Sequence, residues 1–528
     1  MSGYRSDPTR RPPVLVSLGC HVDGSVLPHP DLFDRDTAIA GVRKRFAFAP
    51  PVADKGRMKR LKKFVRGWVR KHLVPLAPDA DLSLETWLSQ TNYPEWRKQQ
   101  LRVKWEKVGS MYHLLYSHFA CKSFIKDEMY EEFKHARGIN SRTDEFKCAV
   151  GPIFKAIEHE VFKNPHFIKH VPVADRPRYI RDRIQRIGAL YFATDYTSFE
   201  SLFVPSLMNA VEFELYDYMT SQIPDHDQFM KLCRDVIGGV QQCHFNGFTA
   251  RVPGCRMSGE MCTSLGNGFS NLMFALFLCE ELGIKNVDGV VEGDDGLFVA
   301  DSFPTSVDFA SLGLVIKIET HTNLSDASFC GLLFDPEELA NVTDPISAVA
   351  GFGWTYGCYK QCSSKKNLML LRCKALSLAH QYPGCPIIQA LAQYGLRVTR
   401  KVCFWLRGWV QKSGPRGMSL WDREQLLLAI RDESKLLFPA PGMRTRLLME
   451  RLFGVSVEEQ VALESYFAGL TGVTPLRHDV LVVHSKPAWR EYWLRYTIEC
   501  SIRNEWLDRP PLPSGFYAGF VREFQGAR

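Results

Sequence analysis

The sequence predicts an α+β protein made of more than one packed unit, and three observations lead there. A chain of 528 residues exceeds what one ordinary core encloses, so two to four units or one large multi-lobed enzyme are expected. Short β-rich runs alternate with helical periodicity between about residues 120 and 335, and from about residue 341 onward the periodicity is mainly helical. Apolar content of 45% and charged content of 23% are those of a globular protein. The net charge of +8 hints at a polyanionic partner. Fifteen cysteines without a framework of regular spacings fit a reducing compartment. The longest apolar stretch, residues 268–283, is interrupted by Asn271 and ends in Glu280-Glu281, so no membrane-spanning helix is expected. Residues 1–7 lack the apolar segment of a signal peptide.

Taken in order, residues 1 to about 54 are rich in Pro and Arg and read as an extended arm. A basic run follows, with Lys55, Arg57, Lys59, Arg60, Lys62, Lys63, Arg66, Arg70 and Lys71 and no acid among them. Met58, Leu61, Phe64, Val65, Trp68 and Leu73 recur at helical spacing, which predicts a basic amphipathic helix closed by Pro75. A solvated face, an RNA-backbone contact and attachment to an anionic membrane surface all fit it. Residues 81–120 carry two helical patterns with Trp87, Trp96 and Trp105 as core anchors. Between residues 122 and 142, Lys126, Lys134, Arg137 and Arg142 are interleaved with short β-like pieces, a strip able to present several cations to one triphosphate or to form a solvated loop.

The β-run Ile187 to Thr194 delivers Asp195, followed by Tyr196 and, five residues after the acid, Glu200. A carboxylate ending a buried strand needs a partner or a metal, unless it caps the next helix. In residues 254–267, Ser258-Gly259, Thr263 and Asn267 are spaced so that Thr263 and Asn267 share one face of a helix starting after Gly259. Val290 to Ala300 reads as a tight hairpin, with Asp294-Asp295 between Gly293 and Gly296. Adjacent carboxylates repel unless a cation sits on them, and hard oxygen donors without Cys or His nearby favour magnesium or manganese.

Asp195 with an acid five residues later, then SGxxxTxxxN, then GDD, resembles motifs A, B and C of viral RNA-dependent RNA polymerases, and the basic strip before them resembles motif F. The wording of residues 254–267 is similar to tombusvirus-like polymerases of positive-strand RNA viruses. This resemblance covers roughly residues 120–335. It implies a right-hand polymerase: an N-terminal arm and basic helix joining the fingers (1–110), fingers with motif F (111–185), a palm with a small antiparallel sheet backed by helices (186–340, of which 201–255 are partly fingers), and a helical thumb (341–528). It implies RNA synthesis from NTPs with two Mg²⁺ or Mn²⁺ ions, held by Asp195, Asp294, Asp295 and the Tyr196 backbone carbonyl. Lys126, Lys134, Arg137 and Arg142 would contact triphosphate. Glu200, Ser258, Gly259, Thr263 and Asn267 would line the nucleotide, sensing the ribose 2′-hydroxyl and the template. Glu200 stands where the family usually has a second Asp.

Leu312 to His321 resembles motif D, where Lys317 or His321 would be the general acid. Ala327 to Phe334 resembles motif E, a strand pair gripping the primer. Beyond it, helices are expected over 366–380, 387–408, 423–437, 457–470 and 487–506. Trp354 and Tyr356 either pack or stack on an initiating nucleotide. Cys358, Cys362, Cys373, His380 and Cys385 match no zinc signature well. The expected partners are RNA template and product, NTPs, and a replication-complex membrane surface or other viral replication proteins, in host cytoplasm at membrane-associated sites. A reverse transcriptase, or an RNA-packaging scaffold with an inactive polymerase fold, are the rival readings.

Overall fold

The structure is a computed structural model that describes residues 15–47, 49–91, 93–415 and 420–499. Helices and small sheets are mixed, an α+β composition. The chain packs as two compact units. One comprises residues 35–126 and 135–339; the other comprises the stretch up to Asp34, residues 127–134, and the chain from Ala340 onward.

In the first unit the elements used below are α1 (Arg35–Phe46), α2 (Lys55–His72), β1 (Cys121–Ile125), β2 (Gly138–Arg142), α3 (Asp144–Val161), β3 (Leu190–Tyr196), α4 (Glu212–Thr220), β4 (Gln241–Phe245), β5 (Phe248–Val252), α5 (Thr263–Glu281), β6 (Asp288–Glu292), β7 (Asp295–Ala300) and β8 (Ile316–His321). Where an extended arm was expected, α1 is a helix. It seats against the chain at Ala136, whose carbonyl occupies the space a side chain on Gly41 would need. The basic helix α2 is capped by Asp54, which accepts from the Arg57 amide at 2.5 Å. Leu61, Val65, Trp68 and Val69 form its buried stripe. Four of its cations are neutralised by protein carboxylates: Arg57 and Arg60 pair with Glu281, and Lys62 and Arg66 with Glu214. Trp87 is buried, but Trp96 is 66% exposed. The inward stripe of its helix runs through Leu101, and Trp96 falls outside that stripe.

Two four-stranded sheets organise this unit. The order β2-β1-β4-β5 contains one parallel pairing, β1 with β4. The order β6-β7-β3-β8 is antiparallel throughout. Alternation along its strands sends Phe192 and Phe298 to one face, stacked at 5.1 Å and packed with α5 residues such as Leu272 and Phe274. Tyr191, Ala193, Leu297 and Val299 face the other side, toward Ile168, Ile180 and Ile184. Both faces are covered, so the end of the sheet is where its polar residues emerge.

In the second unit, Leu15–Ser17 pairs antiparallel with Trp354–Tyr356. Trp354 is fully buried against His21 and Trp493, so its ring is core and has no free face for a nucleotide. The helices include α6 (Ser364–Gln381), α7 (Ile388–Val398) and α8 (Cys403–Lys412). The single helix expected over 387–408 is thus two. At Thr399 the hydroxyl donates back to the Gly395 carbonyl at 2.6 Å, and a 3₁₀ turn, Arg400–Val402, breaks the run. Met443–Phe453 is a helix that the periodicity did not reveal. The last expected helix is seen over Pro487–Glu499; residues 500–506, like residues 1–7, lie outside the described residues. No helix among the described residues is long and apolar enough to cross a membrane.

Candidate active site at an acidic hairpin

The hairpin forms because β6 and β7 are joined by only two residues, Gly293 and Asp294, with Glu292 paired to Asp295. Positive φ falls on Gly293 (+61°), the first loop position, where glycine takes it without steric cost. Asp294 is therefore the tip, and Asp295 is the first residue of β7. Strand β3 pairs with β7 through Thr194 and Gly296. One step further along that register Asp195 comes beside Asp295, on the same face of the sheet. Three carboxylates from distant positions thus gather at one sheet end.

Asn271 locks this end in place. Its amide oxygen accepts from Thr194 (3.3 Å) and Tyr196 (3.2 Å) of β3, while its Nδ2 donates to the Asp294 carbonyl at 2.9 Å. The close approach needs Gly296, where a Cβ would lie 2.7 Å from the Thr194 hydroxyl and 2.9 Å from Asn271 Nδ2. Sequence reasoning missed Asn271 and treated it only as an interruption of an apolar run. It stands four residues after Asn267 and eight after Thr263, so the polar stripe already noticed continued one turn further.

The tip is electrostatically crowded. Both Asp294 and Asp295 reach solvent, yet loss of surrounding water raises each pKa. Glu200 raises Asp294 further, against the pull of Arg137 and Arg45. Asp295 is pushed up to about 6, by desolvation first, then by Asp294, with Glu292 and Asp195 adding to it. Behind the tip, Glu292 is neutralised by Arg176 at 2.6 Å. Cys330, in the turn bridged by Phe329 and Leu332, has its thiol pKa raised first by burial and then by the charges of Asp295 and Glu292.

The loop bearing Ser258 and Gly259 is fixed by two buried ion pairs. Arg256 bonds Glu212 at 2.7 Å, both side chains fully buried, with Tyr216 donating to Glu212 at 2.9 Å. Gly266 leaves the room this pair occupies. Glu260 pairs with Arg142 at 2.6 Å, both 1% exposed. Asn140 of β2 donates its amide to the Ser258 carbonyl at 2.7 Å, and Gly259 has φ of +103°. Helix α5 begins at Thr263, three residues later than expected, but Thr263 and Asn267 keep their shared face. Thr263 accepts from the Gly259 amide at 3.3 Å. The Arg256 guanidinium donates to Asn267 Oδ1. A guanidinium has no acceptor, so the amide orientation is fixed and Nδ2 is the atom left to serve a ligand.

Two expected site residues, Arg142 and His321, are placed otherwise. Arg142 is a core cation: besides Glu260 it donates to Gln241 and to the Phe119 carbonyl, leaving nothing to offer a triphosphate. Lys134 belongs to the other unit, its ammonium 4.7 Å from the Tyr130 ring. Lys126 donates its backbone amide to the Arg137 carbonyl at 2.7 Å where β1 meets β2. Of the two general-acid candidates, Lys317 lies directly across the ladder from Asp195, with its ammonium 2.6 Å from Glu319. His321 pairs with Tyr191 instead, four residues or about 13 Å further along the strand, too far to serve this end. Arg45 of α1 was not anticipated; its guanidinium is 3.4 Å from Glu200. Being alone among apolar and basic neighbours in the sequence, it gave no signal.

Hard carboxylate oxygens that raise one another's pKa suit a divalent cation of the magnesium type. No group of three His, Cys, Asp or Glu side chains among the described residues is closed into metal-binding geometry, and this includes the Cys358–Cys385 region. The donor chemistry of the tip therefore fits an ion while the side chains remain open around it.

Comparison with known proteins bears on this same stretch. Residues 137–314 match a family described as "Viral RNA dependent RNA polymerase". The chain is also 26% identical over 276 residues to the RNA-directed RNA polymerase of Atlantic halibut nervous necrosis virus. That alignment covers 49% of this chain and 26% of the relative, so the chain spans about a quarter of the length of the curated protein it matches. The segment holding the acidic hairpin, the Ser258-Gly259 loop and Asp195 is thus similar to viral RNA-dependent RNA polymerases.

Proposed function

We propose that this chain is an RNA-directed RNA polymerase that copies a viral RNA genome from NTPs. The observation that carries the reading is the register of β3 against β7, which draws Asp195 to the Asp294-Asp295 hairpin within the segment that matches the family. In this reading the β6-β7-β3-β8 sheet is the palm, β1, β2, β4 and β5 belong to the fingers, and the chain after 340 supplies the thumb. The tombusvirus-like wording of residues 254–267 is the finer assignment.

Asp195, Asp294 and Asp295, with the Tyr196 carbonyl, would hold two Mg²⁺ or Mn²⁺ ions, which supply charge neutralisation at the triphosphate and activation of the 3′-hydroxyl. The protein's own side chains do the rest. Arg137 and Arg45 bring positive charge near Asp294, where they would attract a triphosphate. Asn267 offers Nδ2 as a donor, and Glu200 offers an acceptor. A ribose 2′-hydroxyl, both donor and acceptor, would pair with these groups, whereas a deoxyribose would offer them nothing. Lys317, freed from Glu319, would be the cation that protonates departing pyrophosphate. The partners would be template and product RNA, with replication at host cytoplasmic membranes reached through other viral proteins or anionic lipid.

The test is incorporation of labelled GTP on a poly(C) template by purified protein, with Mg²⁺ and Mn²⁺ compared. Template-dependent RNA product that Asp294→Ala abolishes is expected. Incorporation that survives this substitution would remove the reading and favour an RNA-packaging scaffold, and preference for dNTPs would favour a reverse transcriptase.

A further inference from the structure

Between Pro345 and Trp421 the chain contains no Asp or Glu at all, while carrying eleven Lys and Arg. At the acid content of the whole chain, 58 in 528, a run of that length would hold about eight. Some of these cations are structural. Arg372 is buried against Thr399 and Glu433, and Lys374 donates to the Gly351 and Trp354 carbonyls at 2.8 and 2.6 Å. Arg397 donates to the Phe467 and Leu470 carbonyls at 2.6 and 3.0 Å. Five others lie on or beside helices α6 and α8. Helix α8 turns Leu406 and Val410 inward to meet Met369, Cys373 and Leu376 of α6. Its outer face then presents Phe404, 85% exposed, and Trp405, 47% exposed, among Lys401, Arg407 and Lys412. From α6, the ammonium of Lys365 lies 3.4 Å from the centre of the Trp405 ring, and that of Lys366 lies 3.5 Å from the Trp409 ring. None of these five cations has an ion pair among the described residues.

Large aromatics are seldom left at such exposure without a partner, and neither α6 nor α8 carries an acidic residue. Base faces and phosphates together meet both features: rings supply stacking platforms, and cations beside them track a backbone. A duplex hides its base faces, so the match is to a single strand. An anionic lipid surface also attracts Lys, Arg and Trp, but an interfacial helix needs a continuous apolar face. On α8 the two exposed rings are hemmed by Arg407, Gln411 and Lys412, and Trp405 and Trp409 each lie under an ammonium group.

We infer that the α6–α8 surface, centred on Phe404 and Trp405, is a binding platform for single-stranded nucleic acid, carried by the unit that does not hold the acidic hairpin. That the strand is RNA rests on the polymerase reading; the stacking and charge do not.

The test uses the full chain with Phe404→Ala/Trp405→Ala and, separately, Lys365→Glu/Lys366→Glu. Binding of fluorescein-labelled single-stranded RNA and DNA oligonucleotides is followed by anisotropy against salt, beside flotation with phosphatidylserine-containing vesicles. Photocrosslinking of the bound oligonucleotide locates the contact. The expected result is roughly tenfold weaker single-strand binding by the aromatic variant, a shallower salt dependence for the charge variant, and crosslinks in residues 401–412 of the wild type. Extension of a pre-annealed primer–template by the aromatic variant should be unchanged. Unaltered single-strand affinity in both variants would overturn the inference, as would loss of vesicle binding alone, which would assign the surface to lipid. If the wild type binds strands through this surface but makes no RNA, the polymerase reading fails and the platform stands.

Discussion

The acidic hairpin and the loop at Ser258-Gly259 lie in the same unit and both depend on carboxylates, yet they use them in opposite ways. Around the loop, Glu212 and Glu260 are sealed from water and each is bonded to an arginine. At the hairpin, desolvation and like charges outweigh the pull of Arg137 and Arg45, and Asp294 and Asp295 both hold their protons more tightly than usual. Removing one member of a buried pair strands the other, so such pairs are rigid fixtures. A crowded tip open to solvent is the reverse: its repulsion is relieved only when something positive arrives. Unrelieved charge thus marks the place for a ligand, and satisfied charge marks the frame that holds it.

Four experiments would break or sharpen that contrast, beginning with the largest effect. Asp294→Ala should reduce nucleotide incorporation by about a thousandfold or more while the melting temperature stays near that of the wild type, read by GTP incorporation and calorimetry together. If instead the variant unfolds, the tip belongs with the frame. Glu212→Gln should show the opposite profile, losing about 3–5 kcal/mol of stability in urea titration, because Arg256 is left buried and uncompensated. An unchanged unfolding midpoint would mean that the pair holds nothing in place.

Glu200 and Asn267 stand between the two regions. Glu200→Asp should keep the preference for NTPs over dNTPs, and Glu200→Ala should relax it by roughly ten- to a hundredfold, measured as a ratio of kcat/KM values. Asn267→Asp should relax it too, since an oxygen would replace the Nδ2 donor while Arg256 keeps its acceptor. Equal discrimination by all three variants would remove ribose sensing from this pair.

The smallest effect concerns pH. The Asp295 pKa is raised from 3.8 to about 6 in the folded protein, so its proton favours folding below about pH 4 and that contribution fades as pH rises through 6. Above pH 7 and without divalent ions, Asp295→Asn should therefore be more stable than wild type by about 1 kcal/mol, after allowing for solvent screening of an exposed carboxylate. The gain should vanish near pH 4. A thermal-melt series in which the variant gains nothing at pH 7.5 would show that the tip bears no repulsion.

Much of this was legible in the residues. Asp-Asp between glycines within β-rich flanks specified a hairpin, because so few conformations suit that combination. The spacing of Thr263 and Asn267 specified one helical face. What spacing could not show was which cations face inward. Arg142 and Arg137 look alike in the sequence, yet one is consumed by Glu260, Gln241 and a carbonyl, while the other lies near Asp294. Burial is set by distant partners, and no local pattern encodes it. The same holds for Arg45, which reaches Glu200 across 155 positions of chain. Which of Lys317 and His321 lies across from Asp195 depended on strand register, and the pairing of β3 with β8 sets Lys317 there.

The excursion of residues 127–134 has a practical consequence for dissecting the molecule. The chain crosses between its units four times, so no single cut separates them. The neck of the excursion is narrow, however: the Lys126 amide meets the Arg137 carbonyl at 2.7 Å, and Ile125 pairs with Gly138. A minimal version of residues 35–339 could bridge that neck with a short reverse turn, which would make the unit bearing the acidic hairpin available for study as an independently expressed fragment.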